Sequence, residues 1–253
     1  MRFTGERIIL EKEFCGSESN IFKEHMARYK FARKFIRKKK VLDIACGVGY
    51  GSKILVEGGA SEVYGCDISE EAIQYAKKKY SHKNIKYEIA DSSSIRFSDE
   101  SFDCIVSFET LEHVQNYNKT LDEFRRVLKK NGILIISTPN KDAYNNGNET
   151  LDNRFHYKEF SKNEFVESLN KRFSTISIFS QRLIIKIGLT KKLLRKLIFS
   201  LIKLDFLKIY LRIFNEGTYA FAYKIIDDTD GQYEPIPYQK NHNPRNFLAI
   251  CHK

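Results

Sequence analysis

An α/β fold, a mostly parallel sheet covered by helices, is predicted by three features of the sequence. Short β-branched runs alternate with amphipathic stretches from residue 41 onward, the pattern left by parallel strands and the helices that cross between them. Gly47, Gly49 and Gly51 follow the first run directly and open the next amphipathic stretch. Asp67 and Asp91 stand at the ends of the second and third runs.

The elements can be read in order. "KKVLDIAC" is the first strand and "SKILVEGG" a short helix closed by Gly58 or Gly59. "EVYGCD" is the second strand. It is followed by the helix "SEEAIQYAKKKY", with Ser69 as N-cap and Glu70 and Glu71 in the first turn, where carboxylates meet the unpaired amides of a helix start. "IKYEIA" is a third strand ending at Asp91, and "FDCIVSF" a fourth ending at Phe108. "NKTLDEFRRVLKKNG" reads as an amphipathic helix stopping at Gly132, ahead of a fifth strand, "ILIIST", that Pro139 terminates. Ser161 and Glu164 form a capping box, "FSTISIFSQ" is a sixth strand and "RNFLAICHK" the last.

Residues 183–215 break this alternation. They are rich in Leu, Ile and Lys, with Asp205 the only acid. Thr190 is placed to cap a helix on which Leu193, Leu194, Leu197, Ile198, Leu201 and Ile202 share one face. The expected organisation is an N-terminal helical segment (1–40), a core (41–182 and 245–253) and a basic, helical insertion (183–244). A connection of that length needs structure of its own.

The 253 residues suit one large domain or one domain with an insertion. The net charge of +11 suggests an anionic partner without choosing among a nucleic acid, a phosphorylated metabolite and a membrane surface. Five cysteines, Cys15, Cys46, Cys66, Cys104 and Cys251, are odd in number and lack any C-x-x-C pair, so they read as buried thiols in a reducing, cytoplasmic setting. The first residues, "MRFTGERIILEKEF", carry acids where a signal peptide needs an apolar run, and no uncharged stretch is long enough to span a bilayer.

Glycine in the turn after the first strand lets the backbone bend tightly and approach a ligand. Asp67, about 20 residues on, is placed to accept from ribose hydroxyls. Together they point to a nucleoside-containing cofactor. A dinucleotide site needs G-x-G-x-x-G; here the spacing is G-x-G-x-G, with Ser52 where the third glycine belongs. Asp43 before the loop suits an ammonium group and would repel a pyrophosphate. Asp91 could accept from an adenine amino group while the Ser92 amide donates to the ring. These features favour S-adenosylmethionine over NAD, and a Rossmann dehydrogenase is a distant alternative.

The combination "VLDIACGVGYGS", "VYGCDIS", "IADSSS", "FDCIVSFETLEHV" and "GILIISTPN" resembles the class I S-adenosylmethionine-dependent methyltransferases, in particular the bacterial type-11 group similar to the ubiquinone-biosynthesis O-methyltransferases. The likeness runs from residue 3 to about 182 and resumes at 245. It implies a Rossmann-like, seven-stranded sheet with an antiparallel last strand. It also implies that Gly47 and Gly49 line the methionine part of the cofactor, Asp67 and Ile68 the ribose side, Asp91 and Ser92 the adenine, and Phe108 the face near the sulfonium. "EHMARYKFA" resembles the family's N-terminal helix that closes over the cofactor, bringing Tyr29 toward it.

"SFETLEHV" places Glu109, Glu112 and His113 at spacings of three and four after the fourth strand. If Glu109 begins a helix, Glu112 and His113 lie on one side of it, at the carboxyl edge where ligands of open α/β sheets bind. Methyl transfer to a hydroxyl requires alignment of the acceptor and loss of its proton. His113 can take that proton with Glu112 or His156 assisting. Alternatively Glu109, Glu112, His113 and His156 can hold Mg²⁺, as the likeness of E-x-x-E-H to the plant small-RNA 2′-O-methyltransferases implies. The expected reaction is O-methylation of a small molecule or a glycan or nucleotide-sugar precursor; the alternatives are an RNA 2′-O-methyltransferase and a non-catalytic module that binds the cofactor. RNA would need aromatic platforms or a continuous basic groove, whereas the charge gathers in the insertion. That insertion is open to three roles: a lid, an anionic-membrane surface through 183–215, or a homodimer interface.

Overall fold

The computed structural model describes residues 20–144, 155–181, 233–239 and 244–253. The expected helix capped by Thr190, most of the 183–244 segment and Cys15 lie outside them. In chain order the elements are α1 (Asn20–Ala32), β1 (Lys40–Ile44), α2 (Tyr50–Glu57), β2 (Glu62–Asp67), α3 (Glu70–Lys79), β3 (Ile85–Ile89), β4 (Phe102–Phe108), α4 (Tyr117–Val127), β5 (Leu128–Pro139), α5 (Lys141–Tyr144), α6 (Lys162–Asn170), β6 (Thr175–Gln181), β7 (Ile236–Pro237) and β8 (Asn246–His252).

The strands form one sheet in the order β3-β2-β1-β4-β5-β8-β6-β7. β1 to β5 pair in parallel, and β8 runs antiparallel between β5 and β6. This is the expected mostly parallel sheet with an antiparallel last strand. It is extended by a two-residue strand, β7, paired antiparallel to β6 at the edge.

Both faces of the sheet are buried. Val41, Val106, Ile135 and Leu248 point into one core beneath α1, α2 and α3, and their neighbours Leu42, Ile105, Ile136 and Ala249 into a second core with Phe124 of α4 and Phe165 of α6. Each such side chain removed from water contributes roughly 1.5–3 kcal/mol, so alternation of two apolar sets fixes which residues face which helices. α4 follows the same logic with Thr120, Leu121, Phe124 and Val127 buried on one side.

Local signals held where side chains satisfy backbone groups. The Ser69 hydroxyl accepts from the Ala72 amide at 3.3 Å, and Ser161 and Glu164 form the reciprocal capping box. α2 ends where expected, against Gly58 and a left-handed Gly59 at φ +96°. The predicted helix through "LKKNG" is wrong at its end: α4 stops at Val127 and β5 already begins at Leu128. Leu128 is fully buried and pairs with Phe102. Burial in the sheet wins over the helix-forming lysines, and the register shift that follows absorbs the extra residues.

Candidate active site

The carboxyl ends of β1, β2 and β4 carry the first half of the site. After β1 the chain turns through Ala45 at φ +61°, Gly47 at +55° and Gly49 at +89°. A methyl on Gly49 would press against Ala76 and Tyr87 at 2.6–3.0 Å, whereas one on Gly47 would meet nothing within 4 Å. Gly47 thus leaves open space beside the loop. The Asp67 carboxylate at the end of β2 accepts the Gly47 amide and the Ser69 amide, each at 2.9 Å. It holds the loop with one hand and the entrance to α3 with the other.

Asp43 is buried and accepts from Ser52 at 2.6 Å and from Tyr29 at 3.1 Å. This explains both departures from a dinucleotide loop. Ser52 replaces the third glycine to hold Asp43, and Gly51 is required because a methyl there would overlap the Tyr29 ring at 2.0–2.4 Å. Tyr29 also meets Phe108 edge-on, ring centroids 5.0 Å apart, so α1, the loop and the tip of β4 form one wall. Of the remaining cofactor candidates, Ile68 is 69% exposed beside Asp67, Ser92 is half-buried, and the exposed Asp91 accepts the Ser93 amide at 2.7 Å. Ile89, 51% exposed at the end of β3, adds an apolar surface that sequence reading did not single out.

Burial raises the Asp43 carboxyl to about 7; the Ser52 and Tyr29 hydrogen bonds oppose the shift and neighbouring Asp67 adds to it. The folded-state value lies above the unfolded value of about 3.9. The stability this group contributes is therefore complete below pH ~4 and is lost as pH rises through about 7. From pH 5 to pH 8 the ligand-free protein is expected to lose on the order of 2 kcal/mol through Asp43. Asp43→Asn should lack that part of the decline. Thermal melts at both pH values test this, and equal drops in the two proteins would refute it.

The second half of the site lies between the end of β4 and the loop before α6. Glu109 does not begin a helix. It adopts φ +51°, and only Leu111–His113 form a short 3₁₀ turn. Its carboxylate is taken by Ser137 and Asn246, with the buried Arg28 guanidinium 3.8 Å away. Backbone strain at a non-glycine residue on a ligand-binding edge needs such surrounding anchors to persist. Glu109 thus leaves the metal set predicted from its spacing.

Glu112, His113 and His156 do come together: one ligand atom from each lies within 4.8 Å of the other two. The Tyr157 amide donates to the Glu112 carbonyl at 2.7 Å, tying the 155–159 loop to the 3₁₀ turn. The His113 and His156 rings meet edge-on at 4.8 Å. Glu112 is fully buried; one carboxylate oxygen accepts from Thr138 at 3.1 Å, and the other, Oε1, has no hydrogen-bond partner. Desolvation, with Glu109 nearby, holds its pKa well above the ordinary carboxylate range. His113 Nδ1 lies 3.2 Å from the Phe155 carbonyl, and His156 Nδ1 2.8 Å from the buried Glu159 carboxylate. A carbonyl can only accept, so His113 carries its proton on Nδ1. Glu159 was missed in the sequence, although its i, i+3 spacing from His156 was visible; nothing local marked Arg28.

This fold, with its glycine loop, acid-tipped strands and antiparallel last strand, defines a class I S-adenosylmethionine-dependent methyltransferase. Within that class, residues 42–136 match the Methyltransf_11 family, described as a methyltransferase domain. The chain is 29% identical over 169 residues to a protein of Mycobacterium tuberculosis named "Probable S-adenosylmethionine-dependent methyltransferase", covering 67% of this chain and 60% of that one. It is 36% identical over 126 residues to the ubiquinone biosynthesis O-methyltransferase of Pelagibacter ubique, covering 49% and 51%. A solved structure of a methyltransferase from Thermotoga maritima shares the fold at a TM-score of 0.59 and 13% identity, covering 92% of each chain. The chain spans about 60% of the length of the mycobacterial relatives. No helix among the described residues is long and apolar enough to cross a membrane.

Proposed function

We propose that the protein transfers a methyl group from S-adenosylmethionine to a hydroxyl of a small-molecule or glycan-precursor acceptor. The observation that carries this reading is the placement of two pockets on one sheet edge: the Gly47 loop tied by Asp67, and the Glu112, His113 and His156 cluster, with Phe108 and Glu109 between them. The residues fit the cofactor. The open space over Gly47 admits its methionine part, Asp43 and Tyr29 present oxygens beside that space, and Asp67 keeps acceptor capacity for ribose hydroxyls. Ile68 and Ile89 offer apolar surface to the adenine, with Asp91 and Ser92 at its rim.

The bound cofactor supplies an electrophilic methyl. The chain must align a hydroxyl with it and take up the proton. With Nδ1–H donating to Phe155, His113 presents the Nε2 lone pair as acceptor, 4.0 Å from Glu112. Neutral imidazole with an ordinary pKa near 6.5 does this at neutral pH. Mg²⁺ fits poorly: the cluster offers two imidazoles and a single carboxylate, whereas Mg²⁺ favours oxygen ligands. A cytoplasmic setting agrees with the four buried free thiols, Cys46, Cys66, Cys104 and Cys251. Lid, membrane and dimer roles for 183–215 remain proposals about residues outside the described set.

The test is a panel of hydroxyl, amine and RNA acceptors scored by S-adenosylhomocysteine release and product mass. A methyl ether on a small hydroxyl compound is expected. Methylation of amines alone, or of RNA alone, would overturn the acceptor class. Failure of calorimetry to detect S-adenosylmethionine binding would overturn the reading as a whole.

A further inference from the structure

We propose that Glu112, His113 and His156 form a binding site for a divalent transition-metal ion, with Glu159 as the residue that positions His156. The proposal deepens the preceding reading, since it assigns a cofactor to the same acceptor pocket. Four observations carry it. Ligand atoms from the three side chains lie within 4.8 Å of one another. Glu112 Oε1 is a fully buried carboxylate oxygen without a hydrogen-bond partner, a costly arrangement that a cation resolves. The two imidazoles are held from behind through Nδ1, His113 by the Phe155 carbonyl and His156 by the Glu159 carboxylate. Metal-bound histidines almost always donate their second ring N–H to a carbonyl or carboxylate, which fixes the tautomer and strengthens the ligand. Finally, the amides of Tyr157 and Lys158 both donate to the Glu112 carbonyl, at 2.7 and 3.4 Å, so the backbone itself brings the two ligand-bearing segments together.

The donor set selects the ion. Two imidazole nitrogens and one carboxylate suit Mn²⁺, Fe²⁺, Co²⁺ or Zn²⁺ better than Mg²⁺ or Ca²⁺. Three protein ligands leave coordination positions for oxygen atoms of an acceptor. Around an ion at 2.0–2.1 Å, tetrahedral ligand atoms stand about 3.4 Å apart, so small side-chain rotations close the present cluster. Glu109 is excluded, because Ser137 and Asn246 already hold its carboxylate. With an ion in place His113 is a ligand and no longer the proton acceptor, so the two roles exclude each other and can be separated.

The experiment is Co²⁺ titration of the full chain, followed by visible absorption and calorimetry, with Mg²⁺ as competitor and thermal melts as the folding control. One equivalent of Co²⁺ with a d–d band, undisturbed by millimolar Mg²⁺, is expected. His156→Ala should abolish the band, and Glu159→Gln should weaken binding about 10–100-fold while the fold persists. Absence of Co²⁺ or Zn²⁺ uptake by protein that binds S-adenosylmethionine would overturn the site and leave the methyltransferase reading intact. Displacement by Mg²⁺ would overturn the choice of ion, and unchanged affinity in Glu159→Gln would overturn the positioning role. Metal uptake by protein that transfers no methyl to any acceptor would leave the site standing and sink the preceding reading.

Discussion

Asp67→Ala is expected to weaken binding of S-adenosylmethionine by about 10²-fold or more. In the wild-type protein this carboxylate accepts the amides of Gly47 and Ser69, each at 2.9 Å. Hydrogen bonds to a charged group contribute roughly 1.5–3 kcal/mol each, and every 1.4 kcal/mol is about tenfold in affinity. Alanine leaves both amides without their acceptor. The loop loses the anchor that keeps space open over Gly47, and α3 loses the clamp that precedes its cap. The proposed ribose contacts go with them. Asp67→Asn keeps one acceptor oxygen and should fall between alanine and wild type, which also guards against a variant that merely fails to fold. Calorimetric titration, with circular-dichroism melts as control, is the measurement. Wild-type affinity in a folded Asp67→Ala protein would remove the loop from the cofactor site.

The second large effect concerns turnover. His113→Ala should lower kcat by roughly 10²–10⁴, the usual contribution of a positioned proton acceptor, while affinity for S-adenosylmethionine stays within about threefold. The side chain is 30% exposed and lies on a 3₁₀ turn outside the cofactor loop, so its loss should barely move the melting temperature. The pH profile carries further information. A directly acting imidazole gives a rate that falls on protonation near its ordinary pKa of about 6.5 and ignores chelators. A metal-bound imidazole makes turnover chelator-sensitive. Full activity in His113→Ala would end both roles.

Much of the fold was legible because it rests on local periodicity. β1, β4, β5 and β8 each send alternate side chains into two cores, and a strand buried on both faces announces itself as an apolar run. Caps were legible for the same reason: Ser69 and the Ser161–Glu164 box act on amides within three residues of themselves. The boundary at Leu128 was not, since what draws that residue into the sheet is Phe102, 26 positions earlier.

The functional residues divide along the same line. Gly47, Gly49, Asp67 and the Glu112–His113 pair could be named from the sequence, because backbone turns and strand tips are short-range features whose spacing is written in the chain. Which of four candidate ligands share a pocket could not. Glu109 is withdrawn by Ser137 and Asn246, and His156 is delivered by the joining of residues 157 and 158 to the Glu112 carbonyl. The need for Gly51 is likewise set by Tyr29, a residue of another helix. The sequence by itself therefore determined the class of protein and the address of its site. The tertiary structure alone decided which side chains meet there, because hydrogen bonds and close packing act across space and have no fixed separation along the chain.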